Sequence, residues 1–542
     1  MHLQSPIRLC LLIPLLLTAC GSDTQVVQPP KSQTPYSASL DLSQVSISQP
    51  ESALPDNWYQ GAVFMEIYVR GYKDSDGDGI GDLQGLMQQL DYLQQLGVQG
   101  LWLMPINASY DHDHGYAVSD YRSLETQYGS QADLAALLEA AHARGMGIIM
   151  DYVINHSAID NPLFLDSDQQ LGDKRDWYIW RDSNPGWTNW DGNPSWHPGR
   201  QGYFYGVFWE NMPDFNLKNE TVLAYHHDSL RYWLNQGLDG FRFDAVGQLV
   251  ENGQYSYESQ PENHAIMYDI QQLVTNDYQH RYMVCEEPTD AIGAAQSDAC
   301  GSAFAFGFND AVRASVKAGR VSSDLADTLQ QLPLARMGVM LGNHDAFAGV
   351  RLIEDFDGDL ARYRLAAATQ LTLPGQPFIY YGEEIGMGHS AGNSGDWALR
   401  APMSWTASGG FTTGSPFRAY ASNKGQYNVQ DQQAAADSLW HFYQRLIAAR
   451  KANPALRLGT LQLLQSDRVL AYTRQYEDDT LLVLLNYAEE ASPLTLDLDL
   501  PNSSLSPLDD WASDSPTTDA DGSLSLTLPA QAIRIYRLPA GV

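Results

Sequence analysis

Positive charge is scarce in this chain: 32 Lys and Arg stand against 65 Asp and Glu, a formal net charge of −33. That balance excludes a nucleic-acid partner, because neutralising phosphates takes clustered cations. It suits a neutral substrate, with most acids on solvated surface. Cysteine is scarcer still. Of four, Cys10 and Cys20 lie at the extreme N-terminus, which leaves Cys285 and Cys300 in the body. Their spacing permits one disulfide and does not require it. A membrane-spanning apolar stretch is also missing. The run at 9–17, behind Arg8, is too short to cross a bilayer as a stable helix and reads as the core of a signal peptide.

What is present fits a large globular protein: 542 residues, 44% hydrophobic, with 13 Trp and 30 Tyr whose rings can serve as platforms for sugar faces. Residues 1–20 end in Leu17-Thr18-Ala19-Cys20-Gly21, which resembles a bacterial lipoprotein cleavage box. Cys20 would then be acylated and become the first residue. The expectation is an exported monomer in the cell envelope, held at the outer membrane by lipid alone. Residues 21–55, rich in Ser, Gln, Pro and Thr without apolar periodicity, read as a flexible linker.

Between 56 and 454, short apolar runs alternate with amphipathic stretches. Strands are expected over 62–69, 100–106, 147–153, 238–245, 282–286, 338–342 and 378–381. Helices are expected over 82–96, 133–144, 222–235, 264–276 and 360–371. Such alternation implies parallel βαβ units, and about eight strands at this length favour an α/β fold of the (β/α)8 TIM-barrel type. The alternation stops over 156–219, a Trp-, Gly- and Pro-rich segment too long for a plain connection and therefore a small inserted domain. Its Trp177, Trp180, Trp187, Trp190 and Trp196 would favour long sugar chains if exposed, or else form the insert's own core. Residues 455–542 turn to strand-like segments separated by turns, an expected C-terminal antiparallel β-sandwich.

Barrel enzymes work at the C-terminal ends of their strands. Here the third strand ends Asp151-Tyr-Val-Ile-Asn155-His156 and the fourth Gly240-Phe-Arg242-Phe-Asp244. The fifth ends Met283-Val-Cys-Glu286-Glu287, and the seventh leads to Asn343-His344-Asp345. In this order the segments resemble the catalytic regions of the α-amylase superfamily, glycoside hydrolase family 13. Asp113-His-Gly-Tyr116, Met212-Pro-Asp-Phe-Asn216, Tyr380-Tyr-Gly-Glu-Glu-Ile385 and Arg400-Ala-Pro-Met-Ser-Trp405 extend the likeness over about 57–540. The form of these motifs is similar to branches intermediate between α-amylases and oligo-1,6-glucosidases.

The resemblance implies Asp244 as nucleophile, Glu286 as general acid/base and Asp345 as a third carboxylate holding sugar hydroxyls. The residue types fit, because retaining glycoside hydrolysis needs one ionised and one protonated carboxyl group about 5–5.5 Å apart. Arg242, two residues before Asp244 on one strand, faces the same way and is expected to lower its pKa. Glu286 follows an apolar run, which favours its protonated form. Glu287 is its rival, but neighbouring strand residues face opposite sides. The family likeness further implies that His156 and His344 donate to the bound sugar and that Tyr116 stacks beneath it. It implies too that Asp113 and Arg400 pair to close the pocket in exo-acting relatives.

Asp74, Asp76, Asp78 and Asp82 alternate in a Gly-rich loop, the donor pattern of hard cations. With the Ile80 carbonyl they resemble the Ca2+ loop after strand one in oligo-1,6-glucosidase-like branches. A second Ca2+ site near Asn155 is in doubt, because Gln248 stands where the family often has His. The expected activity is retaining cleavage of α-1,4 bonds in an α-glucan or maltooligosaccharide substrate, of α-amylase type. Exo-acting α-glucosidase, maltogenic amylase and transglycosylase stay open, as does a catalytically inactive carbohydrate-binding relative.

Overall fold

Eight short parallel strands close on themselves, each bonded to its neighbours in chain order and the last to the first. They are β1 (Phe64–Ile67), β2 (Gly100–Leu103), β3 (Gly147–Val153), β4 (Gly240–Asp244), β5 (Tyr282–Cys285), β6 (Ala303–Phe304), β7 (Met337–Met340) and β8 (Gln376–Tyr380). The computed structural model describes residues 34–49, 51–349 and 351–539. Every residue of these strands is buried, as it must be when helices cover a parallel sheet on one side and side chains fill the barrel on the other. At Gly240 the φ of +144° and the carbonyl of Tyr282 leave no room for a Cβ, so β4 can approach β5 only with glycine there.

Three of the surrounding helices, Gln131–His142, Glu220–Asn235 and Leu360–Thr372, begin on side-chain caps that satisfy free amides: Ser130 in a capping box, Asn219, and Asp359. Two features differ from the periodicity. β6 has two residues, too few to show any period. The expected helix at 82–96 is two helices, Leu83–Gln88 and Leu90–Leu96, with Gln89 ending one and starting the next.

The segment after β3 folds on helix Pro162–Gln169 and a three-stranded sheet of Trp180–Arg181, Tyr203–Tyr205 and Trp196–Pro198. Of its six Trp, Trp177 and Trp196 are buried, Trp180 and Trp187 half-buried, and Trp190 and Trp209 exposed. Trp187, Trp196 and Tyr205 pack edge to face as the insert's core. A row of sugar platforms is therefore not what these rings form.

The C-terminal region is a sandwich of antiparallel sheets. Five strands from Thr460–Ser466 to Ile533–Arg537 face the pair Ser492–Asp497 and Ser523–Leu528 across a small apolar core. Cys285 and Cys300 are joined by a disulfide, which ties the end of β5 to the loop before β6. Residues 34–49, expected within a flexible linker, lie against the insert and the barrel instead. The amides of Tyr36 and Ser37 donate to Asp166, that of Val45 to Asp228 and that of Ser48 to Asn235. Periodicity carries no trace of this, because polar side chains elsewhere make the contacts. Cys20 lies outside the described residues, among which no helix is long and apolar enough to cross a membrane.

Candidate active site

Arg242, in the middle of β4, is 1% exposed and organises the C-terminal mouth of the barrel. Its Nη1 donates to both oxygens of Asp151 (2.9 and 3.0 Å) and to Oδ1 of Asp244 (2.7 Å). Its Nη2 lies 2.9 Å from Oε2 of Glu286. One guanidinium thus spans carboxylates from three consecutive strands, in the fork geometry that arginine alone supplies. Immediately after Asp244 the chain turns sharply. Ala245 has φ +51°, unusual for a residue with a Cβ, and its amide donates to Oε2 of Glu286 at 2.9 Å. Glu287 points elsewhere: Ser259 Oγ, Thr289 and the Asp290 amide donate to it, and it does not meet Arg242.

The seventh strand supplies a second charge group. His344 donates from Nδ1 to Glu66 of β1 at 2.6 Å, and its Nε2 lies 3.0 Å from Asp345 Oδ2 and 2.7 Å from Tyr116 Oη. The Tyr116 hydroxyl in turn donates to Asp151 Oδ2 at 2.8 Å. His344 is completely buried, so both its N–H groups are spent within the protein. Arg400 Nη2 holds the other oxygen of Asp345 at 2.9 Å, and its Nε donates to the His344 carbonyl. His156 is buried with Nε2 lacking any protein partner, and burial pushes it down to about 3, so it is neutral.

Burial dominates the titration of the central acids. It lifts Asp244 to about 6 against the pull of Arg242, with Asp151 and Asp345 adding repulsion. It lifts Glu286 to about 7, again opposed by Arg242 and helped by Asp244 and Asp345. The expected lowering of Asp244 is thus reversed: the arginine's favourable charge is shared among several acids and does not make up for lost water. Asp345 moves the other way. Burial would raise it, but His344 and Arg400 on either side hold it well below the usual carboxylate range. Burial also opposes the imidazolium of His344, yet Asp345 and Glu66 together raise it to about 10.

The expected Asp113–Arg400 pair does not form. Arg400 is taken by Asp345 and Asp396, while Asp113 receives both 2.8 Å contacts from Arg418 and a hydrogen bond from Tyr68. Arg418 Nη1 also donates to the Arg400 carbonyl, so the two arginines form one wall. In the loop after β1, Asp74, Asp76 and Asp78 bring carboxylate oxygens within 4.8 Å of one another. Gly77 and Gly79, at φ +90° and +96°, allow that turn. Asp82 stands outside this group, because its carboxylate caps helix Leu83–Gln88 through the Gly85 amide and also accepts from the Ser75 amide.

Four residues of the site escaped the sequence reading of roles: Glu66, Asp151, Trp102 and Arg418. Asp151 and Glu66 did carry a signal, an acid inside an otherwise apolar strand, where a charge needs a partner. Trp102, whose Nε1 reaches Asp151 at 3.2 Å, and Arg418 carried none.

A closed parallel barrel whose strand ends converge acids, one guanidinium and a charged histidine defines a carboxylate-based barrel enzyme. Residues 66–459 match the α-amylase catalytic domain, and residues 461–535 the C-terminal domain of maltogenic amylase. The chain belongs to the α-amylase family, glycoside hydrolase family 13, whose members process glucans and related glycosides. It is 33% identical over 511 residues to a trehalose synthase/amylase of Mycobacterium tuberculosis, covering 82% of this chain and 85% of the relative. It is 32% identical over 460 residues to alpha-amylase 3 of Dictyoglomus thermophilum, covering 79% and 85%. Among solved structures, isomaltulose synthase of Erwinia rhapontici superposes with a TM-score of 0.77 at 27% identity, covering 90% of this chain and 100% of that one.

Proposed function

We propose that this enzyme cleaves α-1,4-glucosidic bonds of maltooligosaccharides with retention, attacking soluble starch more slowly. The observation that carries this reading is Arg242, which holds Asp244 and Glu286 on its two terminal nitrogens. Sharing one planar cation suits the short carboxyl separation of retaining enzymes, ~5–5.5 Å, better than the ~6.5–9.5 Å of inverting ones. The carboxylate of Asp244 attacks the anomeric carbon as the glycosidic bond breaks, and Glu286 gives its proton to the departing oxygen. Glu286, now ionised, takes a proton from water, which displaces Asp244 from the sugar. The higher pKa of Glu286 suits it to donate first. Asp345, held ionised by His344 and Arg400, accepts from sugar hydroxyls.

Two observations favour short substrates. The Asp113–Arg418 and Arg400–Asp345 pairs stand as a wall beside Asp345, and four of the insert's six Trp are buried or half-buried, with only Trp190 and Trp209 exposed. The test is iodine staining of amylose followed against reducing ends, with product analysis on maltoheptaose and its end-blocked form. Short products with staining preserved are expected, and a rapid fall in staining at low conversion overturns the preference for chain ends. A second reading, sugar instead of water intercepting the glycosyl-enzyme, is favoured by the same wall and by the trehalose synthase/amylase relative. New disaccharide from maltose, in excess over glucose, would decide for it.

The Asp74, Asp76 and Asp78 carboxylates, with the Ile80 carbonyl, would hold Ca2+ and pin the loop after β1. The set is all hard oxygen and half-formed as a cage, which fits that ion. The N-terminal signal and Cys20 are proposed to place the protein in the cell envelope by acylation; Cys20→Ser should abolish its fractionation with membranes.

A further inference from the structure

The opposite end of the barrel, remote from the carboxylates, contains a cavity of about 580 Å³ between the strand beginnings and the C-terminal sandwich. Three of its backbone walls, at Gly61, Gly375 and Gly459, are braced from behind by buried arginines. Arg450 donates to the carbonyls of Gly61 (3.0 Å) and Gly375 (2.6 Å), and Arg474 to that of Gly459 (2.9 Å). Neither arginine meets a carboxylate among the described residues. In front, Arg336 and Arg457 line the cavity, and neither guanidinium has an ion pair or side-chain hydrogen bond among the described residues. Arg457 Nε is buried without a partner. The lining contains no Asp or Glu, although the chain has 65.

Charge is not the only unmet demand. Gln376, the first residue of β8, lines the same cavity, is 5% exposed, and leaves its Oε1 buried without a hydrogen bond. A buried amide oxygen in that state is costly unless a donor reaches it. The rings of Tyr59 and Tyr476 border the cavity, and Tyr59 is stacked at 4.8 Å on Tyr282 and so held in place.

We propose that this cavity binds a small ligand carrying both an oxyanion and hydroxyl groups, a sugar phosphate in chemical class. Two free guanidiniums match a phosphate by charge and by paired N–H geometry. A hydroxyl supplies the donor that Gln376 lacks, and the tyrosine rings cover an apolar sugar face. The ligand would touch the barrel at Gln376 and the segment leading into the sandwich at Arg457. It would therefore bear on how those regions are held together while leaving the carboxylate site untouched.

The experiment is calorimetric titration of the full-length enzyme with glucose 6-phosphate, with inorganic phosphate and glucose as separate probes. The variants are Arg336→Gln, on an exposed turn, and Arg457→Gln. Saturable binding of glucose 6-phosphate that either variant weakens at least tenfold, with maltooligosaccharide turnover unchanged, is the expected result. Competition by inorganic phosphate would then mark the anion as the main determinant, and its failure to compete would mark the sugar as required. Absence of binding by either phosphate, binding that both variants leave intact, or glucose binding as tightly overturns the proposal.

Discussion

Arg242 and Arg450 are each 1% exposed, but their surroundings have little in common. Arg242 meets three carboxylates, Asp151, Asp244 and Glu286. Arg450 meets four backbone carbonyls, those of Gly61, Leu371, Leu373 and Gly375. The carbonyls meet all three nitrogens of Arg450 but not its charge, whereas the acids answer the charge of Arg242 and leave its Nε without a partner. Burial therefore pulls Arg450 well below the usual arginine range, with Arg474 adding repulsion, whereas at Arg242 the acids outweigh burial and hold the proton on. The carbonyl cage fixes backbone and leaves local positive potential at the base of the barrel. The carboxylate cage leaves excess negative charge at its mouth, where acids are kept close to neutral pH. Which partners surround a buried cation decides whether it scaffolds or tunes chemistry.

Removing acids from the Arg242 cage should have the largest effect. Asp244→Asn is expected to lower kcat by at least ~10³-fold, about 4 kcal/mol of transition-state stabilisation. Glu286→Gln should cost ~10²–10⁴-fold on substrates with poor leaving groups and less on activated aryl glucosides. Both should unfold in urea at or above the wild-type midpoint, because each relieves repulsion among buried acids. Near-normal turnover by folded Asp244→Asn would remove the mechanism.

Arg450→Met inverts that pattern. It leaves four carbonyls without their donor, and each orphaned buried group costs about 1–3 kcal/mol, reduced where water can enter. A loss of several kcal/mol in unfolding free energy is expected, with kcat per folded molecule within about twofold of wild type. A large fall in kcat at unchanged stability would show that the base of the barrel is not mere scaffold.

The pH dependence sharpens the comparison further. Turnover needs Asp244 ionised and Glu286 protonated, so kcat/KM should rise through about 6 and fall through about 7, apparent values that belong to the coupled pair. The His344 imidazolium, held by Asp345 first and Glu66 second, has its own window. The imidazole pKa is raised from 6.5 to about 10 on folding, so the stabilisation from these two acids is complete below 6.5 and fades as pH rises through about 10. In Glu66→Gln, unfolding free energy measured from pH 6 to 10 should lose part of that slope. The alkaline limb of kcat/KM, set by Glu286, should stay where it was.

Much of this was legible in the residues before any coordinates. The acids at 151, 244, 286 and 345 follow apolar strand segments in order, and a barrel must bring such ends to one mouth. What sequence could not carry was distance and burial. Arg418 pairs with Asp113 across 305 positions from a loop without periodicity, and Arg400 was the nearer family motif. A neighbouring arginine announces itself two residues from Asp244, whereas the desolvation that outweighs it belongs to the packed barrel. Glu66 reads as one polar letter in an apolar strand until its partner is seen. β6, with two residues, is defined by its hydrogen bonds to β5 and β7 and by nothing periodic of its own.

The smallest expected effect concerns charges that neither cage contains. Asp74 is buried, and the Thr412 hydroxyl with the amides of Gly77, Gly79 and Asp76 lowers its pKa against burial, whereas Asp76 and Asp78 are exposed. Without a cation, exposed acids at this spacing repel weakly through water; with Ca2+ they become ligands of one ion. An ion bound only by the native state adds RT ln(1 + [L]/Kd), about 2.7 kcal/mol at a hundredfold excess over Kd. In a protein larger than ~250 residues that is worth a few degrees in Tm. Exhaustive chelation should lower Tm by that amount, added Ca2+ should restore it, and Asp76→Asn with Asp78→Asn should abolish the response. Because the loop lies outside the Arg242 cage, kcat at 25 °C should change little. A Tm indifferent to chelation, with no metal in elemental analysis of the purified protein, would leave the loop a solvated turn closed by its own amides.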